Sequence, residues 1–124
     1  MTPMGLAALA ATGEKGDPMA IFFVRFEHPD EAGWQRWVRP HVDWLNEQVS
    51  KGTIIASGPS VGTTVRQGLL VMRAKDEPAL IAVVQTDPFW VNGIVENLQI
   101  TQWDPLFGAF RELSSNPEGP DLPA

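Results

Sequence analysis

The sequence predicts a single α+β domain, and three observations carry that reading. The chain has 124 residues, a length that fits one domain at about 100–200 residues each. Its middle holds runs of β-branched and aromatic residues that alternate with segments of helical spacing. The order of those segments is strand, helix, strand, strand, helix, strand.

Ala20 to Phe26 (AIFFVRF) is the first strand, rich in aromatic and β-branched residues and closed by the turn cluster His28-Pro29-Asp30. From Glu31 to Lys51 the spacing becomes helical, with Val38, Val42, Leu45 and Val49 three and four residues apart. Pro40 falls inside this run. A residue before proline avoids the α region, so a short helix is expected to end near Val38 and a longer one to begin at Pro40. Gly52 is a natural C-terminal stop. Thr53 to Ser57 (TIIAS) reads as the second strand, followed by Gly58-Pro59 and a Gly/Ser/Thr-rich connection. Gln67 to Arg73 (QGLLVMR) reads as the third. Asp76 to Gln85 is a helix with Pro78 in its first turn, where proline is tolerated. Asp87-Pro88-Phe89-Trp90 looks like a helical turn with an Asp cap and proline at its first position. Ile94 to Trp103 alternates as the fourth strand, with Ile94, Glu96, Leu98 and Ile100 on one side and Val95, Asn97, Gln99, Thr101 and Trp103 on the other.

Two strand–helix–strand units of this size describe a ferredoxin-like βαββαβ sandwich, an antiparallel sheet with both helices on one face. The first and third strands are apolar on both sides, yet the helices cover only one. The uncovered face would stay wet in a monomer, so an obligate homodimer or higher homo-oligomer built on the sheet is expected.

The ends differ from this core. Residues 1–18 lack a sustained period and are expected to form a flexible arm. Residues 19–113 form the folded domain. Ser114 to Ala124 (SSNPEGPDLPA), with three prolines, reads as a flexible tail. Gly5 to Ala11 resembles a weak signal-peptide core, but no Lys or Arg precedes it and acidic and glycine residues follow at once. A cytoplasmic protein is the expectation.

Composition narrows the chemistry. Zero cysteines exclude a disulfide scaffold, a zinc–thiolate site and a cysteine nucleophile. Nine basic against fifteen acidic residues give a net charge of -6, which disfavours nucleic acid and anionic membrane surfaces as partners. No apolar run approaches the roughly 20 residues needed to span a bilayer. The sequence lacks G-x-G-x-x-G, a P-loop and G-x-S-x-G, and no His or carboxylate spacing suggests a metal cage. No cofactor and no metal are expected.

Few side chains are left for acid–base work. His28, in the turn after the first strand, reads as an exposed surface residue. His41 follows Pro40 and is placed in the first turn of the long helix, on the rim of its apolar stripe. It reads either as a hydrogen-bonded boundary histidine or as a general base, which requires a neutral imidazole at a pocket edge. Asp87 is explained by capping alone, although a capping carboxylate can also receive a histidine N–H. Ser57 reads as a strand-end hydroxyl. Trp44, one turn after His41, reads as core or as the wall of a pocket for a ring-shaped ligand.

Four segments in order carry a likeness. They are Pro40-His41-Val42-Asp43-Trp44-Leu45, Gly52 through Pro59 (GTIIASGP), Thr86-Asp87-Pro88-Phe89, and Trp103-Asp104-Pro105 before Phe107-Gly108. Together they resemble the YciI-like (YCII-related) family over about Met19 to Phe110. The resemblance implies a dimeric α+β barrel of ferredoxin-like subunits and an active site of one histidine and one aspartate, which map onto His41 and Asp87. It departs from the family pattern at Val42, at the tryptophan-rich lead-in to the helix and in the length of the N-terminal arm. Family members with assigned chemistry act as lyases or hydrolases on small, often ring-containing compounds.

The expected function is therefore cofactor-independent acid–base chemistry on a small-molecule substrate, of lyase, isomerase or hydrolase type. His41 would be the base and Asp87 its partner, with Ser57, Trp44 and Arg39 around the substrate. The alternative is a non-catalytic binding or assembly module using the same pocket. Haem binding through His41 is a weaker reading, because only Arg36 and Arg39 stand near it to hold propionates.

Overall fold

The computed structural model describes residues 19–120 and 122–123. The N-terminal arm expected over residues 1–18, with the Gly5–Ala11 segment, lies outside the described residues. Four strands form one antiparallel sheet in the order β2-β3-β1-β4. They are β1 (Ala20–Glu27), β2 (Ile54–Pro59), β3 (Gln67–Ala74) and β4 (Glu96–Trp103). Among the described residues three α-helices accompany them: α1 (Glu31–Lys51), α2 (Glu77–Val84) and the single turn α3 (Pro88–Val91). This is the α+β arrangement that the order of segments predicted.

Pairs on β1 and β3 alternate across the sheet, so Phe22, Val24, Phe26, Leu70 and Met72 point to the helices. They pack with Trp44 of α1 and Leu80 and Val84 of α2 into the main core. Fully burying a large apolar side chain contributes roughly 1.5–3 kcal/mol, which makes this layer the principal source of stability.

One expectation is corrected in α1. The helix runs unbroken through Pro40, although proline inside a helix removes one hydrogen bond and crowds the carbonyl four residues back, at about 3 kcal/mol. The ends explain why it holds. Asp30 Oδ1 accepts from the Gly33 N–H at 2.9 Å, and Gly52 closes the helix in the left-handed conformation at φ 80°. Between those caps, His41, Trp44 and Gln48 bury one continuous face, and that packing outweighs the local preference at Val38-Arg39-Pro40. His41 is thereby placed mid-helix, beyond the reach of the helix N-terminus that the sequence reading assigned to it.

Two bulges decide which side chains face the helices. Ile54 pairs with Met72 and Ala56 with Val71, so β2 carries one extra residue at Ile55. A bulge reverses the alternation beyond it. Ser57, paired with the core residue Leu70, consequently faces the helix side. In β4 the pairs Arg25–Gln99 and Glu27–Glu96 enclose another extra residue, and Asn97 has φ 51°. Val95 therefore joins Leu98 and Ile100 against the main core, instead of the opposite face given by strict alternation.

The second sheet face is only partly open. Ile21, Ile55 and Val71 are buried there with Leu113, and Phe23, Trp103 and Phe110 pack around them. The chain after β4 folds back to deliver Phe110 and Leu113. Ser115 closes that return by donating its N–H to Asp104 Oδ1 at 2.9 Å. The expectation that this face lies wholly bare in one copy is corrected accordingly; Leu69 remains 37% exposed on it. Among the described residues, no helix is long and apolar enough to cross a membrane.

Candidate functional site

The His41 imidazole and the Asp87 carboxylate meet at the junction of α1 and α3. His41 is 8% and Asp87 2% exposed, and Nδ1 of the imidazole lies 2.8 Å from Asp87 Oδ1. A carboxylate accepts, so Nδ1 carries the proton and donates it. Nε2 is then the basic nitrogen of the neutral ring. Asp87 holds this position by capping as well, since Oδ1 also accepts the Phe89 N–H at 2.9 Å. Proline at the first position of α3 carries no competing N–H. The capping role and the histidine-partner role coexist, and both fall on one oxygen.

The surroundings lock the imidazole. Its ring stacks on Phe89 with centroids 3.9 Å apart and planes 15° from parallel. Trp44 lies behind it at 6.0 Å, and the indole N–H donates to Thr86 Oγ1 at 2.8 Å. Thr86 in turn donates to the Val83 carbonyl. The residue just before Asp87 is thus tied to α1 one turn beyond His41, which fixes the distance between the two partners.

His41 opens onto a cavity of about 640 Å³ between α1 and the β2–β3 side of the sheet. Trp34, Val38, Val42, Leu45 and Val49 form its helical wall, and Phe26, Gly68 and Leu70 its floor. Ser57 stands on the strand wall, brought there by the bulge at Ile55. An apolar chamber with a few polar groups is the usual form of a small-molecule site.

The other expected residues fall elsewhere. Trp44 is buried behind His41 and does not line the cavity. Arg39 is exposed on α1, outside the lining. Trp34 and Arg66 line the cavity instead. The Arg66 guanidinium lies 3.7 Å from the centre of the Trp34 ring and forms two 2.9 Å bonds to the Glu31 carboxylate. That pairing holds Glu31 below the usual carboxylate range and raises Arg66.

His28 corrects the sequence reading most sharply. It is 3% exposed, and Nδ1 lies 2.9 Å from the Ile94 carbonyl oxygen. Its ring packs edge-on to Phe26 at 4.9 Å and against Phe89 at 4.5 Å. Burial lowers its pKa from 6.5. The turn cluster His28-Pro29-Asp30 suggested exposure, but Ile94, 66 positions away, folds over the turn. No local pattern announces such a contact. Among the described residues, no three His, Asp or Glu side chains cluster as a metal site.

Comparison with known proteins gives the following. A family model described as YCII-related domain matches residues 21–104. Among solved structures the chain is similar to 5-chloro-2-hydroxyhydroquinone dehydrochlorinase (TftG) from Burkholderia phenoliruptrix AC1100, determined in complex with 2,5-dihydroxybenzoquinone. The identity is 19% and the TM-score 0.53, over 67% of this chain and 93% of that one. At this identity the likeness speaks for the fold. No curated protein matches the sequence.

Proposed function

The chain belongs to the YCII-related domain family, and from that premise we propose that it is a small-molecule enzyme of lyase type whose base is His41. The observation that carries the proposal is the buried 2.8 Å contact between His41 Nδ1 and Asp87 Oδ1 at the edge of an apolar cavity.

The chemistry follows from the tautomer. With Nδ1–H committed to Asp87, Nε2 takes a proton from the substrate. The electron pair of the broken bond forms the new π bond, and the leaving group departs with its own bonding pair, so that H–X is lost overall. Asp87 stabilises the imidazolium while the proton resides there. A positioned base of this kind contributes about 10²–10⁴-fold. Ser57, on the strand wall of the same cavity, steadies charge that develops on the substrate. The apolar walls suit a ring compound, and the structurally similar TftG, a dehydrochlorinase bound to a quinone, supports that class.

A second copy of the chain is part of the proposal. It would cover the remainder of the sheet face around Leu69 and Phe23, which Phe110 and Leu113 leave incompletely buried.

Chloride release from 5-chloro-2-hydroxyhydroquinone, measured for the wild type and for His41→Gln, tests the reading. Release that depends on His41 supports an elimination enzyme. Release that survives the substitution sinks the role of the imidazole, and tight ring binding without turnover in the wild type would instead favour a non-catalytic binding module.

A further inference from the structure

The cavity that His41 faces is lined by a second buried imidazole. His28 spends Nδ1–H on the Ile94 carbonyl at 2.9 Å, because a carbonyl oxygen can only accept. In the neutral ring Nε2 is then an acceptor, with no hydrogen-bond partner among the described residues, and His28 lines the cavity. Phe89 stands between the two imidazoles, 3.9 Å from one and 4.5 Å from the other. Two acceptors of the same tautomer thus flank one aromatic ring at the edge of one chamber. Neither Nε2 is sealed from solvent without a partner among the described residues, so both are open to a hydrogen-bond donor that enters the chamber they line.

We propose that His28 is a ligand-contacting residue whose Nε2 accepts a hydrogen bond from a substrate hydroxyl, so that the substrate class is a ring compound carrying at least two hydroxyl groups, one for each imidazole. The inference rests on the proposed role of His41 as the group that meets the substrate's other hydroxyl. His28 selects while His41 reacts. Burial, the largest influence on His28, favours its neutral form, and a neutral imidazole is what the acceptor role requires. The hydrogen bond to Ile94 works against burial; among the charged groups His41 and Arg66 oppose a positive charge at this position and Asp87 favours it.

Two substitutions separate ligand contact from structural support. In His28→Asn the amide nitrogen can occupy the place of Nδ1 and keep the bond to Ile94, while the Nε2 acceptor disappears. In His28→Gln the amide reaches the Nε2 position and the bond to Ile94 is lost. Binding of resorcinol, hydroquinone and phenol is measured by tryptophan fluorescence for the wild type, both His28 variants and His41→Gln, and thermal melting confirms that each is folded. The expected result is a preference of about tenfold for the dihydroxy compounds in the wild type, lost in His28→Asn and largely kept in His28→Gln. An undiminished preference in His28→Asn overturns the proposal, as does a wild type that does not distinguish the compounds or binds none of them. If chloride release is indifferent to His41 while the preference still depends on His28, the catalytic reading fails and this one stands.

Discussion

Asp87 accepts the His41 imidazole N–H and the Phe89 backbone N–H on the same oxygen, at 2.8 and 2.9 Å. One carboxylate therefore both starts helix α3 and orients the imidazole. Asn also caps helices well, so Asp87→Asn should leave thermal stability nearly unchanged while lowering turnover by about 10²–10⁴-fold, the range of a well-placed acid–base pair. Asp87→Ala should lose the activity and, in addition, about 1 kcal/mol of stability from the missing cap. Equal turnover in the wild type and the Asn variant would show that the carboxylate only caps.

The burial of His28 makes stability depend on pH. Its folded-state pKa lies below the 6.5 of a free imidazole, so below that pH the unfolded chain binds a proton that the native chain resists. The contribution is complete above 6.5 and is lost as pH falls toward the folded-state value. Urea unfolding at pH 7.5 and 5.5 should show lower stability at the acid pH, with a smaller difference in His28→Asn.

Gly33 lies where α1 crosses the chain before β4. A Cβ there would stand 2.5 Å from Asp30 Oδ2 and 2.8 Å from Ile94 Cγ2. Gly33→Ala should therefore destabilise by about 1–3 kcal/mol, despite the better helix propensity of alanine, through disturbance of both the Asp30 cap and the segment that holds His28. Thermal melting measures it; a raised melting temperature would mean that propensity outweighs the clash.

The tie between Trp44 and Thr86 offers a graded test. Trp44→Phe keeps most of the buried ring but removes the N–H that donates to Thr86 Oγ1. A loss of about 0.5–1.5 kcal/mol is expected, with turnover falling further than it does in a control variant of equal stability. A decline no greater than the control's would mean that the tie supports the fold alone.

The proposed second copy is tested at Leu69, 37% exposed on the second sheet face. Light scattering should give twice the chain mass for the wild type and the single-chain mass for Leu69→Glu, because a charge at the centre of an apolar interface is strongly disfavoured. A wild type that remains single at high concentration removes the dimer from the proposal.

Much of this protein could be read in its residues without coordinates. The apolar runs of Ala20–Phe26 and Gln67–Arg73, the glycine at 52 and the Asp-Pro pair at 87–88 are local signals, and each produced the element expected of it. Local rules marked Asp87 as a cap and His41 as a histidine at the rim of an apolar stripe, whereas their pairing was implied only by the resemblance of four segments to a known family. What the tertiary structure alone decided is long-range. Helix α1 continues through Pro40 because the buried face of His41, Trp44 and Gln48 outweighs a local cost. Ser57 reaches the cavity because one extra residue in β2 reverses the alternation. His28 is buried because Ile94 arrives from 66 positions away, and Phe110 and Leu113 return to a sheet face that pattern alone left bare. Periodicity reports the neighbours a residue has along its own element. Burial, register and the meeting of two side chains depend on elements that only folding brings together.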